Sequence, residues 1–346
     1  MRSAAAAPAD PEPAPMFTAI PNPAASGPRR ARFPQDVPQI TRLIDLGFGQ
    51  VLDYSSRRML RDVSAVAERG ELVWNLSHRF GILQPEEWAF ASVWDDAGRI
   101  TGNVTITRRI PERAAWLISN VAVHPEFRRR GIAREMVRHA LGSIRQEGGR
   151  NVYLQVDAVN ESALRMYREI GFAELGGRTS WLRPREERRI TQSEAAAGST
   201  LTFAPRKTAE WAEEFGLWRV VSPHGTAWNT PLTEQALRPS LRKNLEGLLS
   251  GETEKHFLAR CEGRVDASLS AYSRQSGWEG VLIQREGTRG KVEAGLLDAA
   301  WKFFPPAQSL LLEATAEASP ETLVQLGFQK RRTFIWMRYT FNGGAL

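Results

Sequence analysis

One stretch limits what this chain can become. An apolar strand, Trp116 to Val123, runs into a turn at His124-Pro125 and then into the basic sequence Arg128-Arg129-Arg130-Gly131-Ile132-Ala133. An amphipathic helix follows at once: Ile132, Met136, Ala140 and Ile144 recur at helical spacing, and Gly148-Gly149 stops it. A strand that hands a basic, glycine-containing loop to a helix N-terminus is suited to hold a phosphate. First-turn N–H groups have no partner inside the helix, the macrodipole places partial positive charge there, and Gly131 lets the backbone approach the anion. In isolation the three arginines would read as an exposed basic turn; the glycine and helix start that follow favour the anion.

The chain then continues in a telling order. A strand over Asn151 to Val156 leads to Asn160-x-x-Ala163-x-x-x-Tyr167-x-x-x-Gly171-Phe172, where Asn160 and Tyr167 are seven residues apart and so share one helix face. Together with Arg128-x-x-Gly131-x-Ala133, this series resembles the acetyl-CoA site of the GCN5-related N-acetyltransferase (GNAT) family. The resemblance implies an α/β fold with a mixed sheet and helices on both faces, acetyl-CoA as co-substrate without a metal, and acetyl transfer to a primary amine by direct attack in a ternary complex. It implies that backbone groups of Val121 and Val123 hold the pantetheine arm. It also implies that the backbone over Arg128, Arg129, Gly131, Ile132, Ala133 and Arg134 holds the pyrophosphate, that Asn160 touches the pantetheine and that Tyr167 protonates the departing thiolate. Without the family, Asn160 is a helix N-cap, a role that can coexist with the first, and Tyr167 is a half-buried packing residue. No general base is legible. Trp116-Leu117-Ile118-Ser119-Asn120 carries no carboxylate, which leaves a water chain, His124, Glu86 or Glu87, with His124 also readable as a turn residue before Pro125. Trp74, Trp88, Trp94 and Trp116 either line an acceptor pocket or fill the core.

At 346 residues the chain has room for two domains at ~150 residues each, and its second half repeats the first. Lys255 to Cys261, the turn Glu262-Gly263 and Val265 to Tyr272 mirror Trp88 to Trp94, the turn Asp95-Asp96-Ala97-Gly98 and Ile100 to Thr107. Gly277 to Ile283 mirrors the strand before the basic loop, and Arg289-Gly290-Lys291-Val292 stands where Arg130-Gly131-Ile132-Ala133 stood, ahead of a helix from Val292 to Phe303. Leu310, Leu312 and Gly327-Phe328 keep the spacing of Leu154, Val156 and Gly171-Phe172. The chemistry is not repeated: Gly287 replaces Arg128, β-branched Val292 replaces Ala133, Ala316 replaces Asn160 and Leu323 replaces Tyr167.

The expected organisation is therefore two tandem GNAT-like domains. Residues 1–31 are an Ala/Pro-rich disordered lead-in, 32–185 the catalytic domain, 186–199 a linker, and 200–346 a degenerate copy that shapes the acceptor cleft or an oligomer, a homodimer included. In the first domain the pattern predicts a strand near Arg32, a helix capped by Asp36 with Pro38 in its first turn, a partly helical segment from Phe48 to Pro85, and a closing hairpin through Trp181.

Composition excludes some partners. With 42% hydrophobic and 25% charged residues and no run of ~18 apolar residues, a soluble protein without a membrane span is expected. The start lacks the pattern of a secretory signal, and a single cysteine, Cys261, excludes a disulfide within the chain, so a cytoplasmic location is expected. The net charge of +7 comes mostly from arginine, with the first lysine at Lys207. Apart from Arg128 to Arg130 and Arg183 to Arg189 there is no basic tract, and no nucleic-acid motif, so a solvated arginine-rich surface is expected in place of nucleic acid. The expected acceptor is a small-molecule amine. Peptide or protein N-acetylation and a non-catalytic acyl-CoA-binding scaffold are the alternatives.

Overall fold

The structure, a computed structural model, describes residues 26–49, 54–79, 90–108, 115–185, 201–221, 234–240, 253–274, 277–303 and 309–341. Glu86, Glu87, Trp88 and the expected linker lie outside these residues. The first half runs β1 (Gly27–Arg30), α1 (Val37–Phe48), α2 (Tyr54–Glu68), α3 (Glu71–Arg79), β2 (Phe90–Asp96), β3 (Arg99–Arg108), β4 (Ala115–Val123), α4 (Ile132–Gln146), β5 (Asn151–Asp157), α5 (Glu161–Ile170) and β6 (Ala173–Arg183). The second runs β7 (Leu201–Pro205), α6 (Trp211–Val221), α7 (Glu234–Leu237), β8 (Glu254–Cys261), β9 (Arg264–Arg274), β10 (Gly277–Gln284), α8 (Glu293–Trp301), β11 (Leu310–Thr315), α9 (Pro320–Gln325) and β12 (Gln329–Thr340). These strands join one mixed sheet in the order β1-β2-β3-β4-β5-β12-β6-β11-β10-β9-β8-β7.

Alternation along each strand sends side chains to two separate layers. On β3 and β5, Val104, Ile106, Val152, Leu154 and Val156 meet the apolar stripe of α4, including Met136, Val137, Ala140 and Ile144. A Cβ at Gly102 would sit 2.6 Å from Met136 Cε, so α4 lies directly on bare backbone there. On the opposite face α1 covers β2 and β3 with Ile40, Leu43 and Ile44 against Ala91, Val93 and Ile100. The second half is layered alike, α8 on one face with Leu296 and Leu297, α6 on the other with Leu217 and Trp218.

The two halves exchange their last strands. β12, from the second half, lies antiparallel between β5 and β6, with Met337 opposite Leu154 and Ile335 opposite Gly177. β6, from the first half, lies between β12 and β11, with Trp181 opposite Leu312. Helices α1–α5 precede residue 185 and α6–α9 follow residue 200, while β6 and β12 each sit among strands of the other half. The closing hairpin is replaced by one continuous strand, Ala173–Arg183, in which Gly176-Gly177 lies inside the ladder with β12.

Two further expectations change near the start. A strand forms earlier than Arg32, within the expected lead-in: Gly27–Arg30 pairs antiparallel with β2, and Pro28 is tolerated because β1 is an edge. Asp36 precedes α1 but makes no side-chain cap. Its carboxylate instead accepts from Arg29 Nη1 and the Arg32 N–H, both at 2.6 Å, a charge-assisted pairing that is stronger than a cap.

Candidate active site

The cleft begins where β4 and β5 part. They pair in parallel only at Ala115–Leu117 with Asn151–Tyr153. Beyond this β4 bulges: its register with β3 slips, Asn120 has φ +48°, and Asn103 Nδ2 donates to the Asn120 carbonyl at 3.0 Å. Past the bulge the His124 N–H donates to Thr101 O at 2.8 Å. By the alternation of an antiparallel pair, Val121 and Val123 then turn their main-chain groups away from β3 and into the gap. Arg128 Nε donates to the outward Val123 carbonyl at 3.1 Å, so this arginine braces the strand end as well as bordering the cleft.

The basic loop supplies main chain more than charge. Arg129 and Gly131 have φ of +65° and +78°, the alternating left-handed geometry that turns successive N–H groups to one side. α4 starts at Ile132, so the Ile132, Ala133 and Arg134 N–H groups lack intrahelical partners. A Cβ added to Gly131 meets nothing within 4 Å; the loop is a cradle open to the cleft. Neighbouring guanidiniums are tied to protein, Arg130 to the Glu126 carbonyl at 3.0 Å and Arg134 to Glu169. An anion here would be held by N–H groups and the helix terminus.

α5 lines the same space. Asn160 caps it, Oδ1 accepting from the Ala163 N–H at 3.1 Å and from Ser162 Oγ at 3.0 Å, and also borders the cleft. Two turns on, Tyr167 is 5% exposed, edge-on to Phe172 at 5.7 Å, and reaches the cleft wall. Burial pushes its phenol pKa upward, which keeps the hydroxyl protonated and able to donate. The Asn160–Tyr167 face anticipated from spacing is thus present, with cap and cleft roles combined.

The cleft, ≈ 1710 Å³, passes through the β4/β5 gap to the face that carries α1 and α6. A small-ligand pocket is commonly about 300–1,000 Å³, so there is room for a nucleotide-sized cofactor and an acceptor together. Strand register builds the far wall. Asp157 lies opposite Phe334, which lies opposite Arg178; one step on, Ser180 lies between Arg332 and Glu313. Arg332 grips Asp157 Oδ2 through Nε at 2.8 Å and Nη2 at 2.7 Å. Arg178 meets Glu313 Oε2 at 3.3 Å. Asp157 and Glu313 thus place two carboxylates on the cleft wall, where Trp116 to Asn120 carries none.

Other candidates fall elsewhere. His124 is not among the cleft residues; its Nε2 lies 3.2 Å from Arg99 Nη2 and its ring is edge-on to Phe127. Trp74 and Trp116 are core residues, and Trp94 donates to Ser26 Oγ. Among the described residues the tryptophan that lines the cleft is Trp336, on the exchanged strand. Among the described residues no helix is long and apolar enough to cross a membrane, and no group of three His, Cys, Asp or Glu could hold a metal.

Residues 59–172 match the family model for the acetyltransferase (GNAT) family. The chain is 36% identical over 55 residues to the ribosomal protein bS18-alanine N-acetyltransferase of Salmonella typhimurium, which is 16% of this chain and 37% of that protein. It is 39% identical over 67 residues to the streptothricin acetyltransferase of Streptomyces lavendulae, 18% of this chain and 35% of that protein. The chain thus spans little more than a third of the length of these curated relatives. A GCN5-related N-acetyltransferase from Sphaerobacter thermophilus has the same fold, with a TM-score of 0.53 at 15% identity over 94% of this chain and 98% of that one. The motif order and the parted strands with their anion cradle coincide with one stretch, residues 59–172, that matches the acetyltransferase (GNAT) family, in a chain that has the fold of a GCN5-related N-acetyltransferase.

Proposed function

We propose that the protein transfers the acetyl group of acetyl-CoA to a primary amine of a small molecule, the first half holding the cofactor and both halves enclosing the acceptor. The observation that supports this best is one continuous cleft containing the parted β4 and β5, the open cradle at Gly131 and a protonated Tyr167. Main-chain groups of Val121 and Val123 pair with the pantetheine arm as an added strand would. The N–H groups of Arg129, Gly131, Ile132, Ala133 and Arg134 hold the pyrophosphate, bordered by Arg128, and Asn160 steadies the arm. Acetyl-CoA supplies the activated acyl group. The acceptor nitrogen bonds to the acyl carbon as the carbon–sulfur bond breaks; the nitrogen gives up a proton to cleft water or a wall carboxylate, and Tyr167 returns one to sulfur.

Calorimetric titration of acetyl-CoA into the full chain, with CoA-thiol release measured over a panel of small amines and an N-terminal-alanine peptide, tests this. The expected result is one site per chain, lost in Gly131→Val, and turnover with small amines. Acetylation of the peptide alone would move the acceptor class to protein; binding without turnover of either would leave an acyl-CoA-binding scaffold.

A further inference from the structure

The acceptor wall contains two arginine–carboxylate pairs of unequal quality. Arg332 makes two short bonds to Asp157, a closed pair with little left to offer. Arg178 is different. Its side chain is 6% exposed, its guanidinium carbon lies 5.7 Å from the centre of the Trp218 ring, and among the described residues it meets a single carboxylate, through one 3.3 Å contact. A buried guanidinium has five N–H donors in a planar fork suited to bidentate capture of a carboxylate, and desolvation makes unpaired donors costly. Burial accordingly works against its charge, with Glu313 countering in part. Glu313 reaches Arg178 from β11, in the other half of the chain, and its side chain is one-third exposed. Both border the cleft. An anion entering beside Arg178 would meet unused donors, and a cation entering beside Glu313 would meet a carboxylate that gives Arg178 only one long bond.

We propose that the acceptor is an amine that also carries a carboxylate, its carboxylate held by Arg178 and its ammonium by Glu313 before deprotonation. The inference rests on the acetyl-transfer reading above and adds the substrate class. It also assigns a task to the second half: Glu313 and the exchanged strand β12 complete an acceptor subsite whose cofactor groove lies in the first half. Arg178 and Glu313 set specificity, and the acyl chemistry stays with Tyr167.

The test is steady-state kinetics of the full chain with acetyl-CoA and matched acceptors, amino acids of two to five carbons against the same compounds as carboxamides or decarboxylated amines. Acids should be preferred by at least about tenfold in kcat/KM, as expected where a buried polar group would be left unpaired by the analogue. In Arg178→Gln that ratio should collapse toward one through KM, with acetyl-CoA affinity by calorimetry retained as proof of folding, and Arg178→Lys should restore part of it. Glu313→Gln, on a half-open side chain, should raise KM for all amines together and keeps the test decisive if Arg178→Gln does not fold. Equal or better turnover of the uncharged analogues would overturn the proposal and leave acetyl transfer standing. No acetyl-CoA binding at all would instead overturn the acetyl-transfer reading, and this one with it.

Discussion

At the start of α4, Gly131 has φ +78° and faces open cleft; at the start of α8, Gly290 has φ +76° and its N–H is already occupied. The occupant is Glu293, the residue that falls at the position of Arg134 when the two loop glycines are aligned. It is fully buried, and Oε1 accepts from the Gly290 N–H at 3.1 Å, the Ser319 N–H at 2.7 Å and Gln284 Nε2 at 3.2 Å, while Oε2 accepts from the Val292 N–H at 3.2 Å. The strands beside it stay closed as well. β10 and β11 pair over five rungs, Trp278–Leu282 with Leu310–Ala314, where β4 and β5 manage three. A helix N-terminus with unpaired N–H groups is costly to bury. In the second half a side chain of the chain itself thus occupies the N–H groups at the helix start, where in the first half the loop at Gly131 stays open to the cleft.

The sharpest way to break the two-half description is to cut the chain. Because β12 completes the sheet beside β5 and β6 completes it beside β11, residues 1–185 and 200–346 expressed separately should each lack a cooperative thermal transition by circular dichroism, and co-expression should restore one. Two independently melting fragments would show that the exchange is dispensable.

The next effect concerns the plug. Glu293→Ala removes the acceptor from four donors at about 1 kcal/mol or more each, so a loss of about 4 kcal/mol in denaturant unfolding is expected. Sulfate, entering the vacated anion site, should recover part of it. The same salt should do much less for the wild type, and equal stabilisation of both would mean that Glu293 is not standing in for an anion. Tyr167→Phe, in the open half, should lower kcat by more than about tenfold with little change in acetyl-CoA affinity, since a proton donor is lost and the ring that packs on Phe172 is kept; unchanged turnover would remove Tyr167 from the chemistry.

How far this contrast was readable in the sequence depends on range. The α4 stripe, the cradle at Gly131, the Asn160–Tyr167 face and the β8–β9 hairpin with its Glu262-Gly263 turn are local, set by periodicity and turn chemistry within a few residues. Strand exchange is not local. Alternation tells β6 and β12 which side chains to bury but not which strand each will join, and Gly176-Gly177 looks like a turn until β12 is seen running past it. The far wall of the cleft was not legible for the same reason: Arg178 and Glu313 are 135 positions apart, Asp157 and Arg332 175. Glu293 is legible only as an acid in a first helical turn, a common surface preference, since nothing local says that it points inward.

A last contrast lies on the face carrying α1 and α6. Beneath α1 the first half buries neutral groups, Asn103 and Thr105. Beneath α6 the second half buries ionisable ones: Glu214 accepts from Arg206 Nη1 at 2.7 Å and Ser268 Oγ at 2.5 Å and lies 3.1 Å from His256 Nδ1, while His256 Nε2 lies 2.8 Å from Glu254, with Ser270 and Tyr272 alongside. Burial alone would lower the His256 pKa, but bonds to Glu214 and Glu254 raise it overall; burial alone would raise that of Glu214, but His256, Ser268 and Arg206 lower it overall. A raised histidine contributes stability that is full below its unfolded pKa, about 6.5, and is lost as pH climbs through the folded value. A lowered glutamate contributes stability that is full above its unfolded pKa, about 4.3, and is lost as pH falls through the folded value. The cluster should therefore stabilise most between about pH 4.3 and 6.5. Measured as the difference in unfolding free energy between wild type and His256→Gln, the advantage of wild type should be larger at pH 5.5 than at pH 8.5. A difference that stays flat across that interval would show that folding leaves the His256 pKa where it lies in the unfolded chain, and one that is smaller at pH 5.5 would show that His256 is buried neutral.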